Sequence, residues 1–251
     1  MTLDLDLGNR VVLVTGGTRG VGLGISRRFV DAGATVVTCA RSAADPVGVA
    51  HHECDVRDPV AVSDLVARIV ADHGALDVLV NNAGGAPYAL AADASANFHS
   101  KVTGLNLLAP LTLMQAANAV MQRQDGGGAI VNVSSVSALR PSPGTASYGA
   151  AKAGLDSLTR TLAVEWAPRV RVNAIDVGLV RTEQTDLHYG GEEGIAAIDR
   201  TIPLGRLAEP EEVGGVAVFL ASSLASYVSG ACIECHGGGE RPAFLTALDA
   251  R

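Results

Sequence analysis

The sequence predicts an α/β protein built on a parallel sheet with helices on both faces. Short apolar runs alternate with helix-length amphipathic segments along the 251-residue chain, which is the order of β-α-β units. The apolar runs are almost continuous in Val, Ile and Leu, as in strands that are covered on both faces. A glycine-rich turn, TGGTRGVG, joins the first strand to the first helix. Together these observations favour a doubly wound sheet.

The order of the segments predicts each element. Strands are expected at 10–15, 34–40, 51–56, 76–83, 128–135, 170–177 and 231–235. Helices are expected at 20–32, 58–73, 95–122, 147–166 and 209–222, with a less regular segment at 183–203. No change of composition marks a linker, so residues 1–251 are expected to form one domain that ends in a tail at 240–251.

The composition excludes several function classes. Hydrophobic residues make up 48% of the chain and charged residues 18%, which is enough for a sizeable core. The formal net charge is −7 and there is no run of Lys or Arg, which argues against a nucleic-acid surface or an anionic-membrane anchor. The first residues lack the apolar core of a signal peptide, and no apolar run approaches the length of a membrane span. We therefore expect a cytoplasmic protein.

The cysteines fit a reducing compartment. Cys39, Cys54, Cys232 and Cys235 are expected to be reduced and mostly buried. Cys232 and Cys235 form a single CxxC pair, but a structural zinc normally needs a second pair or histidines at metal spacing. Since ACIEC also fits a final strand, no metal site is predicted.

The glycine-rich turn has the residues that a dinucleotide site needs. Gly16, Gly20 and Gly22 open a helix directly after a strand. Glycines there allow the backbone to approach a pyrophosphate, and the helix N-terminus supplies free N–H groups. The alternative is a strand–helix junction that only needs positive φ angles. The position at the start of a β-α-β repeat favours the nucleotide site.

Three motifs together carry a family resemblance. The glycine spacing TGxxxGxG, NNAG at 81–84 and YxxxK at 148–152 resemble the short-chain dehydrogenase/reductase family, and the likeness extends from Val11 to about Gly239. The resemblance implies a Rossmann-like fold with a seven-stranded parallel sheet, hydride transfer with a nicotinamide cofactor, and a homo-oligomer, either a tetramer or a dimer. It also implies a set of cofactor contacts: Gly16, Thr18, Arg19, Gly20, Val21, Gly22, Arg41, Ser42, Asp55, Val56, Asn82, Ala83, Gly84, Tyr148, Lys152, Gly178, Val180 and Thr182.

The residue after the second strand indicates which cofactor is used. An enzyme that uses NAD usually has an Asp or Glu there to bind the ribose hydroxyls, whereas this chain has Ala40 followed by Arg41. A guanidinium matches the oxygens of a phosphate, and the resemblance places Arg19 on the same side. NADP(H) is therefore favoured over NAD(H), although both arginines can also be solvated surface charges.

Tyr148 and Lys152 are the candidate catalytic pair. They lie one helical turn apart and so share a face. General acid–base work needs a pKa near 7, about three units below that of free Tyr, which is about 4 kcal/mol. A positive charge about 4 Å away supplies on the order of 4 kcal/mol at an effective dielectric constant near 20, so the Lys152 charge is large enough.

The resemblance completes the site with two further residues. Ser135 would hold the substrate oxygen, and its neighbour Ser134 is the less favoured choice because of the spacing to Tyr148. Asn106 would hold a water beside Lys152 through its backbone carbonyl. As reduction, hydride would pass to a carbonyl carbon while Tyr148 protonates the oxygen.

Two departures and the substrate stay open. Val177 stands where the family commonly has Pro, and Asp176 before it can face the rim of the site or bond to nearby backbone. The expected substrate loops, 136–146 and 183–203, combine apolar and polar side chains: Leu139, Leu187, Tyr189, Ile195, Arg140 and His188. A hydrophobic ketone, a cyclic or steroid-like carbonyl and a 3-oxoacyl thioester all fit. Enoyl reduction is disfavoured because those relatives separate Tyr and Lys more widely. A non-catalytic dinucleotide-sensing regulator is the alternative from another class, although such proteins typically lose the Tyr or the Lys.

Overall fold

A computed structural model describes residues 5, 7–42, 49–183, 185 and 190–245. Within these residues, seven strands form one sheet in which every neighbouring pair is parallel. The strands are β1 (Val11–Thr15), β2 (Thr35–Ala40), β3 (Ala50–Glu53), β4 (Val78–Asn81), β5 (Gly128–Val133), β6 (Val170–Val177) and β7 (Cys232–Cys235). Their order across the sheet is β3-β2-β1-β4-β5-β6-β7. The predicted seven-stranded, doubly wound parallel sheet is confirmed.

The helices lie between the strands. They are α1 (Gly20–Asp31), α2 (Pro59–His73), α3 (Ala96–Thr103), α4 (Ala109–Met121), α5 (Ala146–Glu165), α6 (Gly191–Asp199) and α7 (Pro210–Ala221). None of the described helices is long and apolar enough to cross a membrane.

Two sequence-based boundaries need correction. The segment 95–122 is not one uniform helix, because a π-helical turn at Gly104–Leu108 separates α3 from α4. The third strand ends at Glu53, so Cys54, Asp55 and Val56 follow it instead of belonging to it. The segment predicted to be less regular contains α6.

Local sequence explains where the helices begin and end. At the start of α2, the Asp58 carboxylate accepts the backbone N–H of Val60 at 2.9 Å, and Pro59 occupies the first helical position. The helix ends at Gly74, whose φ of 80° is a left-handed conformation that glycine adopts without strain. At the start of α7, Glu209 and Glu212 form a reciprocal capping box.

The core has two layers because successive strand residues point to opposite faces. Val11 and Leu13 of β1 pack in the layer that contains side chains of α2, α4 and α5. Val12 and Val14 pack in the other layer, beneath α1 and α7. Each fully buried Val or Leu contributes about 1.5–3 kcal/mol relative to an exposed one, which explains why the strands are apolar on both faces.

The strand order places the loops that carry polar residues. The chain moves outward from β1 to β2 and β3, then returns to the other side of β1 with β4. This reversal leaves a crevice at the carboxyl ends of β1 and β4, where ligands bind in open α/β sheets. The loops that follow β1, β4, β5 and β6 therefore meet at one edge of the sheet.

Candidate active site

A cleft of about 770 Å³ opens at this edge of the sheet. Of the site residues that the sequence predicts, all but Asn106, Asp55 and Val56 line it. Those in the lining are Gly16, Thr18, Arg19, Gly20, Val21, Gly22, Arg41, Ser42, Asn82, Ala83, Gly84, Ser135, Tyr148, Lys152, Gly178, Val180 and Thr182. Residues far apart in the chain are thus brought to one cavity.

The glycine loop fits the anionic part of a dinucleotide. Gly16 and Gly20 have φ angles of 63° and 51°, which side chains rarely adopt. A Cβ on Gly22 would strike the backbone carbonyl of Gly16. The Gly20 N–H, at the N-terminus of α1, donates to a carboxylate oxygen of Glu183 at 3.2 Å. This N–H therefore already holds one anionic group, as expected for the positive end of a helix.

The NNAG segment is tied to the glycine loop through Thr15. The Thr15 hydroxyl accepts the N–H groups of Asn82 and Ala83, both at 3.0 Å, and the Asn82 amide donates to the Thr15 carbonyl at 2.9 Å. Thr15 is fully buried, so these bonds are shielded from water. Asn82 consequently fixes the shape of the loop as well as lining the cleft.

The end of the cleft beside β2 carries exposed guanidinium groups. Arg41 and Arg57 line the cleft there, Arg19 lines it from the glycine loop, and Ala40 lies where a carboxylate would select NAD. Arg57 was missed by the sequence analysis, although its spacing of two residues from Asp55 could have drawn attention to it. It donates to Asp55 from Nε at 2.9 Å and from Nη2 at 2.5 Å.

Asp55 and Val56, which the resemblance implies as cofactor contacts, contact other parts of the protein in the structure. The Arg57 hydrogen bonds hold the pKa of Asp55 at about 2, so this carboxylate is ionised and already engaged. The Val56 side chain is buried in the core layer that contains α2. Neither residue belongs to the cleft lining.

The reacting end of the cleft is formed by the loop after β5 and the first turns of α5. The Lys152 Nζ lies 5.6 Å from the centroid of the Tyr148 ring and donates to the Val133 carbonyl at 2.6 Å. Burial lowers the pKa of Lys152 to about 8, and the nearby Asp156 acts in the opposite direction. Burial raises the pKa of Tyr148, while its hydrogen bond with Ser135 acts to lower it. The pKa of Tyr148 is therefore raised and not lowered as the sequence predicted, because burial outweighs the other effects, and a phenol that keeps its proton at neutral pH can serve as a proton donor.

Asn106 holds the Gly84–Gly85 segment of the site in place through side-chain hydrogen bonds to Gly85. It lies in the π-helical turn, a local distortion that is often found at functional sites. Its side chain is fully buried, donates to the Gly85 carbonyl at 2.9 Å and accepts the Gly85 N–H at 3.2 Å. A Cβ on Gly84 would lie 2.7 Å from the Asn106 Oδ1 and 3.8 Å from the Lys152 Nζ, so these groups are brought together around Gly84.

The loop after β6 lines the cleft although Val177 replaces the Pro that is common in the family. Val177 is paired with Cys235, and the N–H of Gly178 donates to the Cys235 carbonyl at 3.0 Å. Val180 forms an isolated bridge with Ala208. Backbone bonds thus hold the loop, which also lines the cleft with Val177, Leu179 and Glu183. Six further residues outside the predicted set of contacts line the cleft: Ala40, Arg57, Gly85, Leu105, Val133 and Ser134.

Asp176 has neither of the environments that the sequence analysis considered. It is 1% exposed, so it does not face the rim of the site, and it lies beside Asp156 and Ser134 instead of bonding to nearby backbone. Both alternatives are therefore wrong. Ser134 is also buried, and its hydroxyl donates to the Lys152 carbonyl at 3.4 Å.

A second cavity of about 430 Å³ adjoins the cleft at Gly178 and Leu179. Two residues of the expected substrate loop, Leu139 and Arg140, line it. Ile195 does not, because it packs with Ile202 and Leu207 in a small apolar cluster. The other candidates, Leu187, His188 and Tyr189, lie outside the described residues. The remaining lining is Val136, Ile202, Glu234, His236, Gly239 and Glu240.

Comparisons with known proteins agree with this geometry. A family model described as Enoyl-(Acyl carrier protein) reductase matches residues 16–240. The human protein named Dehydrogenase/reductase SDR family member 4 is 35% identical over 251 residues, covering 95% of this chain and 90% of that protein. The ligand-free structure of Thermoplasma acidophilum aldohexose dehydrogenase matches with a TM-score of 0.88 at 31% identity, covering 92% of this chain and 94% of that chain. The Pseudomonas aeruginosa RhlG/NADP active-site complex matches with a TM-score of 0.87 at 29% identity, covering 95% and 99%.

The sheet order and the clustered polar residues define a Rossmann-like α/β oxidoreductase. Within that class, the chain belongs to the short-chain dehydrogenase/reductase family, because the family match and the human relative both span most of its length. The resemblance carried by the three motifs is confirmed.

Proposed function

We propose that this protein is an NADP(H)-dependent oxidoreductase that interconverts a ketone and a secondary alcohol. The observation that carries the proposal is the convergence of Tyr148, Ser135 and Lys152 on the same cleft that the glycine loop of α1 opens into. A protonated phenol beside a serine hydroxyl is suited to bind and protonate a carbonyl oxygen.

Each residue has a separate task in this chemistry. A bound nicotinamide cofactor would supply or accept the hydride. Tyr148 donates a proton to the substrate oxygen during reduction, and Ser135 positions that oxygen by a hydrogen bond. Lys152 provides a positive charge that favours the phenolate formed when the proton leaves. Asn106 keeps the Gly84–Gly85 segment in place beside Lys152.

The preference for NADP(H) is supported by charge. Arg41 and Arg57 give the cleft two guanidinium groups beside β2, where Ala40 removes the competing carboxylate, and Arg19 adds a third from the glycine loop. Guanidinium groups suit the 2′-phosphate that distinguishes NADP from NAD. A titration that compares NADPH with NADH tests this choice, and tighter binding of NADH would contradict it.

The adjoining cavity supports a substrate with a substantial apolar part. Val136, Leu139, Leu179 and Ile202 contribute apolar walls, while Glu234 and His236 add polar groups that contact each other. A hydrophobic ketone, a cyclic or steroid-like carbonyl and a 3-oxoacyl thioester all remain candidates. Measuring NADPH consumption with a panel of these compounds ranks them as substrates. An enoyl thioester belongs in the panel, because the matching family model is described as an enoyl reductase.

The decisive experiment removes the phenol oxygen. With a substrate from the panel, Tyr148→Phe is expected to lower kcat/KM by about 100-fold or more, because general acid catalysis contributes about 10²–10⁴. Tyr227→Phe is the matched control, since Tyr227 is fully exposed and lies outside the cleft. Full turnover in Tyr148→Phe would exclude the catalytic assignment. Cofactor binding without turnover of any compound in the panel would favour the dinucleotide-sensing regulator.

The cytoplasmic location and the homo-oligomer stay predictions. Fractionation of cells that express the protein tests the location. Light scattering coupled to size-exclusion chromatography distinguishes a tetramer or a dimer from a monomer.

A further inference from the structure

Two carboxyl groups lie buried together behind the reacting end of the cleft. Asp156 on α5 is 3% exposed and Asp176 on β6 is 1% exposed. One oxygen of each carboxyl and the Cys232 Sγ on β7 all lie within 4.8 Å of one another. The catalytic scheme proposed above uses neither carboxyl.

The hydrogen bonds of this pair are incomplete. The Oδ1 atoms of Asp156 and Asp176 are both buried and have no hydrogen-bond partner among the described residues. The Ser134 hydroxyl contacts both carboxyl groups, but one hydroxyl proton cannot satisfy two carboxylates. Two adjacent carboxylates in a dry site repel each other, so one of them binds a proton more readily than a lone carboxyl does. A proton held by the pair turns one carboxyl into a donor and removes the repulsion.

We propose that Asp156 and Asp176 share one proton at mildly acidic pH and that the negative charge of the pair keeps Lys152 protonated. The first half of this proposal concerns the pair alone, and the second half rests on the proposed function. Asp156 and Asp176 are then positioning residues that act on the reaction through Lys152.

The placement of Lys152 connects the pair to the site. Lys152 and Asp156 are one turn apart on the same face of α5 and are both buried. Burial lowers the pKa of Lys152 to about 8, and Asp156 is the charge that opposes this effect. Without a neighbouring negative charge, the ammonium would lose its proton at a lower pH.

The other polar groups around the pair include two cations, Arg160 and Lys152. Arg160, on α5, is exposed and acts to lower the pKa of Asp156, as does Lys152. Glu234, on β7, acts to raise the pKa of Asp176, and the Cys232 thiol is neutral because burial raises its pKa to about 11. Burial and then Asp156 raise the pKa of Asp176 to about 6. Ser134 is the remaining polar neighbour.

Single asparagine substitutions test the shared proton. Infrared spectroscopy of the cofactor-free protein between pH 5 and 8 should show the C=O stretching band of a protonated carboxyl group that disappears with a midpoint near 6. In Asp156→Asn and in Asp176→Asn the midpoint should fall by about one pH unit or more, because a neutral amide replaces the neighbouring carboxyl. Asp64→Asn, at an exposed position on α2, is the control and should leave the band unchanged.

The double variant Asp156→Asn/Asp176→Asn tests the effect on Lys152. The alkaline limb of the kcat/KM profile for reduction should move to lower pH in Asp156→Asn, which removes the charge that opposes the effect of burial on Lys152, and should move less in Asp176→Asn, which keeps that charge. The double variant has no carboxylate there, and this limb should move to lower pH by about one unit or more. A merely structural role would lower activity at all pH values without moving the limb. If the double variant does not fold, the infrared titration of the single variants still tests whether Asp156 and Asp176 share a proton.

Three results would overturn the proposal. The first is a parent protein without the titrating band, or a band that both single variants retain at the same midpoint. The second is an unchanged alkaline limb in the folded double variant. The third is a divalent metal ion that co-purifies stoichiometrically and is lost in Cys232→Ser, since the cluster would then be a metal site. The infrared readout needs no substrate, so loss of the proposed function through the Tyr148→Phe test would leave it intact.

Discussion

The two ends of the cleft hold their polar groups in opposite ways. At the nucleotide end, the side chains of Arg19, Arg41 and Arg57 are exposed to solvent. Beside β5 and α5, Lys152 and Asn106 are buried, with exposed fractions of 4% and 0%. Exposed charges are screened by salt and each contributes little to stability, whereas a buried polar group is costly unless it is paired. Substitutions at the nucleotide end should therefore act independently of one another. A substitution at the reacting end should also disturb the partners of the residue that is replaced.

The largest effect is expected at the buried end, from Lys152→Met. We expect kcat/KM to fall by about 100-fold or more, because the charge that favours the phenolate is lost. The free energy of unfolding should also change its pH dependence. The pKa of Lys152 is about 8 in the folded protein and about 10.4 in the unfolded chain, so between these values the unfolded chain binds more protons. The stability contribution of Lys152 in the parent protein therefore rises as the pH rises from about 8 to about 10.

Denaturant unfolding of the cofactor-free parent and Lys152→Met proteins from pH 7 to pH 10 measures this difference. The parent should gain stability relative to the variant as the pH rises through that interval. If the free energies of unfolding of the two proteins differed by the same amount at every pH, the pKa of Lys152 would not be lowered in the folded protein. The contrast between the two ends of the cleft would then be weaker.

A smaller effect is expected at the exposed end, from Arg41→Ala. We expect the Kd for NADPH to rise by about 10- to 100-fold, because a charge-assisted hydrogen bond is worth about 1.5–3 kcal/mol. The Kd for NADH should change far less, since NADH lacks the 2′-phosphate. Fluorescence titration with both cofactors measures the two values, and added salt should weaken NADPH binding more than NADH binding.

Arg68→Ala is the matched control for Arg41→Ala, because Arg68 is exposed on α2 and lies outside the cleft. An equal loss of affinity for both cofactors in Arg41→Ala would mean that Arg41 contacts a part that they share. Arg41 would then give no preference for NADP(H) over NAD(H).

The smallest effect is expected where the cleft meets the loop after β6, from Glu183→Gln. The Glu183 carboxylate accepts the Gly20 N–H at the N-terminus of α1, which is the group that the resemblance assigns to the pyrophosphate. Removing this negative charge should tighten the binding of both cofactors by about two- to fivefold. The same titrations measure it. Weaker binding in the variant would show that Glu183 supports the cofactor site instead of competing with it.

Much of the fold could be predicted because its signals are local. The continuous Val and Leu of β1 and the glycines that follow predicted a buried strand and a tight turn, and both are present. The π-helical turn around Asn106 could not be predicted from the pattern, since the apolar spacing of 95–122 also suits a regular helix. The end of β3 was misplaced because ladder pairing with β2, and not the residue types, stops at Glu53.

The site shows the same division. The pairing of Tyr148 with Lys152 follows from four-residue spacing on a helix, which any reader of the sequence can count. Arg57 was missed because its place in the cleft depends on how the chain turns after β3. Asp176 was misjudged for a related reason, since its partner Asp156 lies on α5 and only the packing of α5 against β6 brings the two together.

By itself, the sequence determined the parallel sheet, the glycine loop and the Tyr148–Lys152 pair, because periodicity and short spacing act over a few residues. The tertiary structure alone decided which charges are buried and which are exposed, and it placed Asp156 beside Asp176. Burial and charge proximity depend on distances in space between residues far apart in the chain. These distances set the pKa values of buried groups, and the proton chemistry proposed for the cleft depends on them.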